Sequence, residues 1–278
     1  MTRTLADRVA PRLRLRPRHR PRRRPCARPP TAPRSSSTTS TKTWRFRPSP
    51  TSRPSVAPPS PARATSLHPD FADHFVGTAV EEFGGLHLIV NNAGYTWDTV
   101  VQKMTDEQWD AILDVHLKAP FRILRSAQPV ISAAVKAERA AGGPRVTRKV
   151  VNISSLAGTA GNAGRANYSA AKAGVVGLTK AMAKEWGRYD VTVNAVAFGL
   201  IRTRLTESVA GGDETVTVGD RELSFGVNPE LLAQAEASIP LRRAGTPEEA
   251  AGAVYLLCLP ESDYISGRVL LCAGGFNA

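Results

Sequence analysis

Between Pro11 and Thr65 the chain contains no glycine, no aspartate and no glutamate. A stretch without acids cannot balance its own cations. One without glycine lacks the residue that turns most freely into left-handed backbone. Cysteine is scarce too: Cys26, Cys258 and Cys272 are scattered and make no CxxC spacing. That excludes a disulfide framework and reads as reduced thiols in a cytoplasmic protein. The histidines, His19, His68, His74, His87 and His116, show no metal-ligand spacing, so no metal site is expected. No apolar run approaches the roughly 18 residues of a membrane span. The N-terminus lacks the apolar core of a secretory signal.

What fills residues 11–65 is 14 Arg, 1 Lys, 13 Pro, 8 Ser and 7 Thr. That window carries +15, against +13 for the whole chain, which leaves the remainder at −2. The basic character belongs to one segment and not to a folded surface. Such a composition cannot bury enough apolar area to offset its ordering entropy, so the segment is expected to be disordered. A nucleic-acid arm, an organelle address and an out-of-frame translation all account for it. Two parts are expected: 1–67, basic and Pro/Arg/Ser-rich, and 68–278, with the patterning of a folded domain.

From about Phe71 the pattern changes. "FADHFVGTAVEEFGG" has helical periodicity and stops at a glycine pair. "LHLIVNN" reads as a buried parallel strand. Thr105 to Gln108 fits a capping box, and a long helix is expected from there to about Arg139. Arg148–Ser154 reads as a strand, Asn167–Trp186 as a helix and Val191–Ala197 as a strand. Thr246-Pro247 with Glu249 starts a capped helix, and Gly267–Cys272 makes a last strand. "ETVTVGDRELSF" reads as a small hairpin about Gly219-Asp220, and "NPELLAQAEA" as a short helix. Strands alternating with helices imply an α/β fold with a parallel sheet covered on both faces.

The chemistry concentrates in "NYSAAK". Tyr168 and Lys172 stand at i, i+4, on one face of a helix. A phenol has an ordinary pKa near 10 and is a poor proton donor or acceptor at neutral pH. A neighbouring ammonium favours its phenolate. Ser155, 13 residues earlier at the end of a strand, has a hydroxyl that can hydrogen-bond a substrate carbonyl beside that phenol.

Four strings recur in order: "NNAG" (Asn91–Gly94), "NISS", "NYSAAKAG" and "VTVNAVAFGLIRT". Together they resemble the short-chain dehydrogenase/reductase family, especially its 3-oxoacyl-carrier-protein-reductase-like branch, over about residues 70–278. The resemblance implies a Rossmann-type doubly wound parallel sheet and a nicotinamide cofactor, NAD or NADP. It implies a small-molecule carbonyl or alcohol substrate and a cytoplasmic homodimer or homotetramer, with no nucleic-acid or membrane partner. By resemblance, Tyr168 is the general acid-base, Ser155 polarises the carbonyl, and Lys172 holds the nicotinamide ribose. Asn92, Ala93, Gly94, Ile153, Gly199, Ile201 and Thr203 line the cofactor. Two positions depart from the family pattern. His116 stands where a proton-relay asparagine is usual, and Phe198 where a proline is usual. Imidazole also donates and accepts, so a relay role for His116 is expected alongside that of a packed helix histidine. Residues 206–238 correspond to a substrate lid.

The family opens with a strand, a glycine-rich turn for the pyrophosphate, and a helix. Residues 11–65 offer no such turn, and the first three strands are expected to be lost within 11–67. Shifting the frame changes this. Reading the last two bases of each codon with the first of the next, Pro11–Pro21 permits Leu-Val-Ser-Gly-Ser-Gly-Arg-Gly-Ile-Gly-Arg. Of its four glycines, those that fall where Arg14, Arg18 and Arg20 now stand have the family's spacing. In the other frame Ser35–Thr39 permits Val-Val-Val-Asn-Asp, placing an acid where the ribose carboxylate belongs. Ala64–Leu67 permits Gly-Asp-Val-Thr, a typical strand end. The segment therefore reads as an out-of-frame nucleotide-binding half. The alternative reading is an Arg-rich nucleic-acid-binding protein on a dehydrogenase-like scaffold.

Overall fold

The computed structural model describes residues 70–203, 214–218, 221–225 and 229–276. The readings made for residues 1–69, the lost strands among them, lie outside the described residues. So do 204–213 and the tip of the hairpin at Gly219-Asp220.

In chain order the elements are α1 (Phe71–Phe83), β1 (Leu88–Asn91), α2 (Asp106–Leu113), α3 (Ala119–Ala140), β2 (Arg148–Ser155), α4 (Ala157–Ala160), α5 (Ala166–Trp186) and β3 (Val191–Phe198). The hairpin β4 (Glu214–Val218) and β5 (Arg221–Phe225) follows, then α6 (Pro229–Ser238), α7 (Pro247–Cys258) and β6 (Val269–Cys272). The strands β1, β2, β3 and β6 lie side by side in that order, all parallel. The hairpin pairs antiparallel, with Val218 opposite Arg221.

Adjacent strand residues point to opposite faces, and each face is apolar. Ile89, Val150 and Val193 join Val76 of α1, Leu124 and Ile131 of α3, and Trp186 of α5 in one core. Val90, Val151, Ile153 and Val196 meet Val254 and Leu257 of α7 in the other. Each such side chain, fully buried, contributes roughly 1.5–3 kcal/mol. Helices on both faces of a parallel sheet make this a doubly wound α/β fold, as the alternation implied.

Local signals explain the helix ends. Thr105 accepts from the Gln108 amide at 3.2 Å while Gln108 accepts from the Thr105 amide at 3.0 Å. Thr246 and Glu249 make the same pair of bonds ahead of α7. Gly84 ends α1 at φ 70°, in left-handed backbone.

One element differs from its expectation. The helix predicted from Thr105 to Arg139 is interrupted: residues Asp114–Lys118 form a π-helical turn between α2 and α3. Pro120 explains it. Proline has no N–H to donate to the carbonyl four residues back, that of His116, and its ring crowds that carbonyl. The turn widens instead, and the Ala119 amide reaches back to the Asp114 carbonyl. His116 sits on this wide turn, a kind of irregularity frequent at functional sites.

Candidate active site

The carboxyl ends of β1, β2 and β3 meet the first turns of α5. In open parallel sheets this edge is where ligands bind. Ser155 is the last residue of β2. Its hydroxyl oxygen accepts from the Ala157 amide at 3.2 Å, and its proton is directed to the Phe198 carbonyl at 3.4 Å, a long bond. Phe198 therefore serves the site through its backbone, and its side chain packs into the α7 core.

Helix α5 is held against β2 by polar contacts inside the core. Ser154 donates to the Lys172 carbonyl at 2.9 Å. Asn91 donates to Asn152 at 2.7 Å, Asn152 to Thr179 at 2.9 Å, and Thr179 to the Val175 carbonyl at 2.8 Å. The result is a hydrogen-bonded line from β1 through β2 to α5. Asn167, wholly buried, donates to the carbonyls of Trp97 and Gln108, and accepts from the Tyr168 amide. It ties the start of α5 to the loop after β1 and to α2. Gly158 lets α4 lie on α5: a Cβ there would stand 2.6 Å from the Lys172 carbonyl carbon.

Lys172 is 4% exposed, and its ammonium donates to the Ile153 carbonyl at 2.8 Å. Burial pushes its pKa down to about 7. Its nitrogen lies 5.5 Å from the centre of the Tyr168 ring. Burial also pushes the Tyr168 phenol above its ordinary value. A hydrogen bond with the Ser155 side chain and the guanidinium of Arg165 pull it down, while the Asp98 carboxylate pushes it up. Arg165 is thus a second cation beside the phenol, its guanidinium carbon 5.9 Å from the ring centre.

His116, equally buried, packs edge-on against Tyr168, with ring centres 5.1 Å apart at 85°. Its Nε2 lies 2.6 Å from the Tyr95 carbonyl, so that nitrogen carries the proton. Its Nδ1 is buried with no partner among the described residues. Burial first, and then the charge of Lys172, push its pKa down to about 3, so the ring is neutral. Gly94 makes room for it: a Cβ there would fall 2.1 Å from His116 Cε1.

The other predicted residues line the same edge. Asn92 is half-buried and Ala93 and Gly94 are exposed just beyond β1. Gly199 follows β3 and packs on Ala273, where a Cβ would meet its methyl at 2.9 Å. Ile201 pairs with Gly245, and Thr203 is half-buried at the limit of the described segment. Glu236 of α6 holds Arg202 at 2.9 Å and the Ala244 amide at 3.2 Å, clipping the helix after the hairpin to this loop. Sequence reasoning assigned no role to Asn167, Arg165 or Asp98. Only the first two left a signal, standing one and three positions before the tyrosine. Asp98 reaches the site through a loop that no periodicity describes.

A phenol, a hydroxyl and a buried ammonium lie together at the carboxyl edge of a doubly wound sheet. A family model described as enoyl-(acyl carrier protein) reductase matches residues 67–277. The 3-oxoacyl-[acyl-carrier-protein] reductase FabG of Vibrio cholerae is 36% identical over 208 residues, covering 75% of this chain and 73% of that protein. An uncharacterized oxidoreductase of Mycobacterium bovis is 40% identical over 206 residues, 74% of this chain and 72% of that protein. Nodulation protein G of Azospirillum brasilense is 35% identical over 196 residues, 70% and 68%. The chain belongs to the short-chain dehydrogenase/reductase family of oxidoreductases, in the branch that resembles 3-oxoacyl-carrier-protein reductases. Among the described residues no helix is long and apolar enough to cross a membrane, and no cluster could hold a metal ion.

Proposed function

We propose that residues 68–278 are the catalytic part of an NAD- or NADP-dependent reductase that interconverts a carbonyl and a secondary alcohol. The observation that carries this is the proximity of the Ser155 side chain from β2 and the Lys172 ammonium to Tyr168 on α5, at the edge bordered by Gly94 and Gly199. The open backbone of Ala93 and Gly94 and the buried ammonium of Lys172 fit the nicotinamide-ribose end of such a cofactor. When bound, the nicotinamide supplies or accepts the hydride.

The chain's own groups do the rest. The Ser155 hydroxyl donates to the substrate oxygen and orients it. Burial keeps the proton on Tyr168, so the phenol can pass it to the oxygen as negative charge develops there, and take it back in the reverse direction. Lys172 spends one of its three N–H bonds on Ile153 and offers the others to ribose hydroxyls. Neutral His116, its Nε2–H engaged by Tyr95, can only accept at Nδ1, so it receives a proton donor from the relay and passes none on while so bound. The substrate is a small 3-oxo or 3-hydroxy compound, the setting cytoplasmic, and the assembly a homodimer or homotetramer.

The glycine turn that holds the pyrophosphate has no counterpart in residues 11–65, and the family match begins only at residue 67. We read residues 11 to about 67 as an out-of-frame translation of the missing nucleotide-binding half. In a version with the frame restored, Tyr168→Phe should abolish carbonyl reduction and leave dinucleotide affinity within about twofold, by nucleotide fluorescence titration. Retained turnover would remove the tyrosine from this role.

A further inference from the structure

An ion pair stands over the phenol that the motif does not contain. Arg165 precedes α5, and its Nε is 2.6 Å from Asp98 Oδ2, in the loop after β1. The guanidinium carbon lies 5.9 Å from the centre of the Tyr168 ring. The two backbones are locked together as well, since Thr99 pairs with Arg165 in a parallel bridge. Both side chains are about one third exposed, 37% and 30%, at the mouth of the site.

Tyr168 is faced from every packed element by a group that can be named. Ser155 comes from β2, neutral His116 from the π-turn, Lys172 from one turn further along α5, Arg165 from the start of α5, and Asp98 from the β1 loop. Lys172 is turned to Ile153, and His116 carries no charge. Arg165 and Asp98 are the two charges at the mouth of the site that act on the phenol beside the buried Lys172, and they act in opposite directions.

We propose that Asp98 and Arg165 form a charge pair that tunes the proton affinity of Tyr168, with Arg165 a positioning residue that favours the phenolate and Asp98 anchoring and offsetting it. This rests on the reading of Tyr168 as the proton-transferring group, but the pair itself is testable without turnover. The Asp98 carboxyl is itself raised by burial despite Arg165, so it too can titrate when the pair is disturbed. Being partly exposed, the pair should weaken as salt rises.

The test is an ultraviolet titration of tyrosinate absorbance on the full chain, with Tyr168 assigned by subtracting the Tyr168→Phe curve. Arg165→Met should move the Tyr168 midpoint up, and Asp98→Asn, which keeps an oxygen for Arg165 Nε, should move it down. The two midpoints should differ by about one pH unit, a tenfold change in proton affinity. Arg165→Lys should restore most of the wild-type midpoint, and high salt should narrow the spread. Far-ultraviolet circular dichroism identifies any variant that has lost the fold, and in that event Arg165→Lys against Asp98→Asn carries the comparison. Midpoints that stay together, or move in the same direction, overturn the proposal. Opposite shifts in a chain without carbonyl reduction would uphold the pair and count against the reductase reading instead.

Discussion

At the scale of single residues, His116 is the most exposed to pH although it is buried. Its folded pKa, about 3, lies below the ordinary value of 6.5. Between those values the unfolded chain binds a proton that the folded chain does not. Stability therefore falls as pH drops through that window, by about 1.4 kcal/mol per pH unit at the steepest. His116→Asn removes the group that must charge. Urea denaturation from pH 7 to pH 4 should show a shallower acid loss in His116→Asn than in the wild type. Parallel acid limbs would mean that the imidazole is not held neutral. The tyrosine-lysine spacing made both groups visible in the chain, but their protonation was not. Spacing places a side chain on a face, while burial and the aim of its hydrogen bonds decide its charge.

At the scale of elements, the candidate site depends on how closely α4 and α5 approach. Gly158 makes the contact: a Cβ would press on the backbone of Lys172 and Ala173 at 2.6–2.9 Å, and backbone cannot swing aside. Gly177, on the same α5, has nothing within 4 Å. Gly158→Ala should cost about 1–3 kcal/mol by overpacking. Gly177→Ala should be neutral or stabilising by up to about 1 kcal/mol through helix propensity. Equal midpoints in chemical denaturation would show that the α4–α5 contact is looser than drawn. Most elements were legible because their signals are local: a capping box, a glycine stop, an apolar run. The π-turn was not. Pro120 is visible in the sequence, but the apolar pattern runs on through it, and the fold keeps the helix by widening it.

At the scale of the whole molecule, the question is the missing pyrophosphate turn. The polypeptide as written should bind NAD or NADP more weakly than about 1 mM, since residues 11–65 offer no glycine turn for a pyrophosphate. Micromolar affinity in a fluorescence titration would refute this. The reading frame makes a companion expectation: the DNA should carry small insertions or deletions near codons 10, 26–34 and 67. Codons that stand as read would end the frame-shift reading and restore the basic segment as a question of its own. β1 pairs only with β2 among the described residues, so the nucleotide-binding half is also what would cover that edge.

The sequence by itself determined the α/β class and the buried, apolar character of its strands, because these follow from periods of 2 and 3.6. It also determined that no glycine stands where a dinucleotide needs one. Only the tertiary structure decided which charges meet the phenol. Arg165 and Asp98 lie 67 positions apart, and no local period relates a helix start to a loop beyond another strand. The Thr99–Arg165 bridge brings them together, and that packing stands two opposed charges beside a buried tyrosine on a helix face.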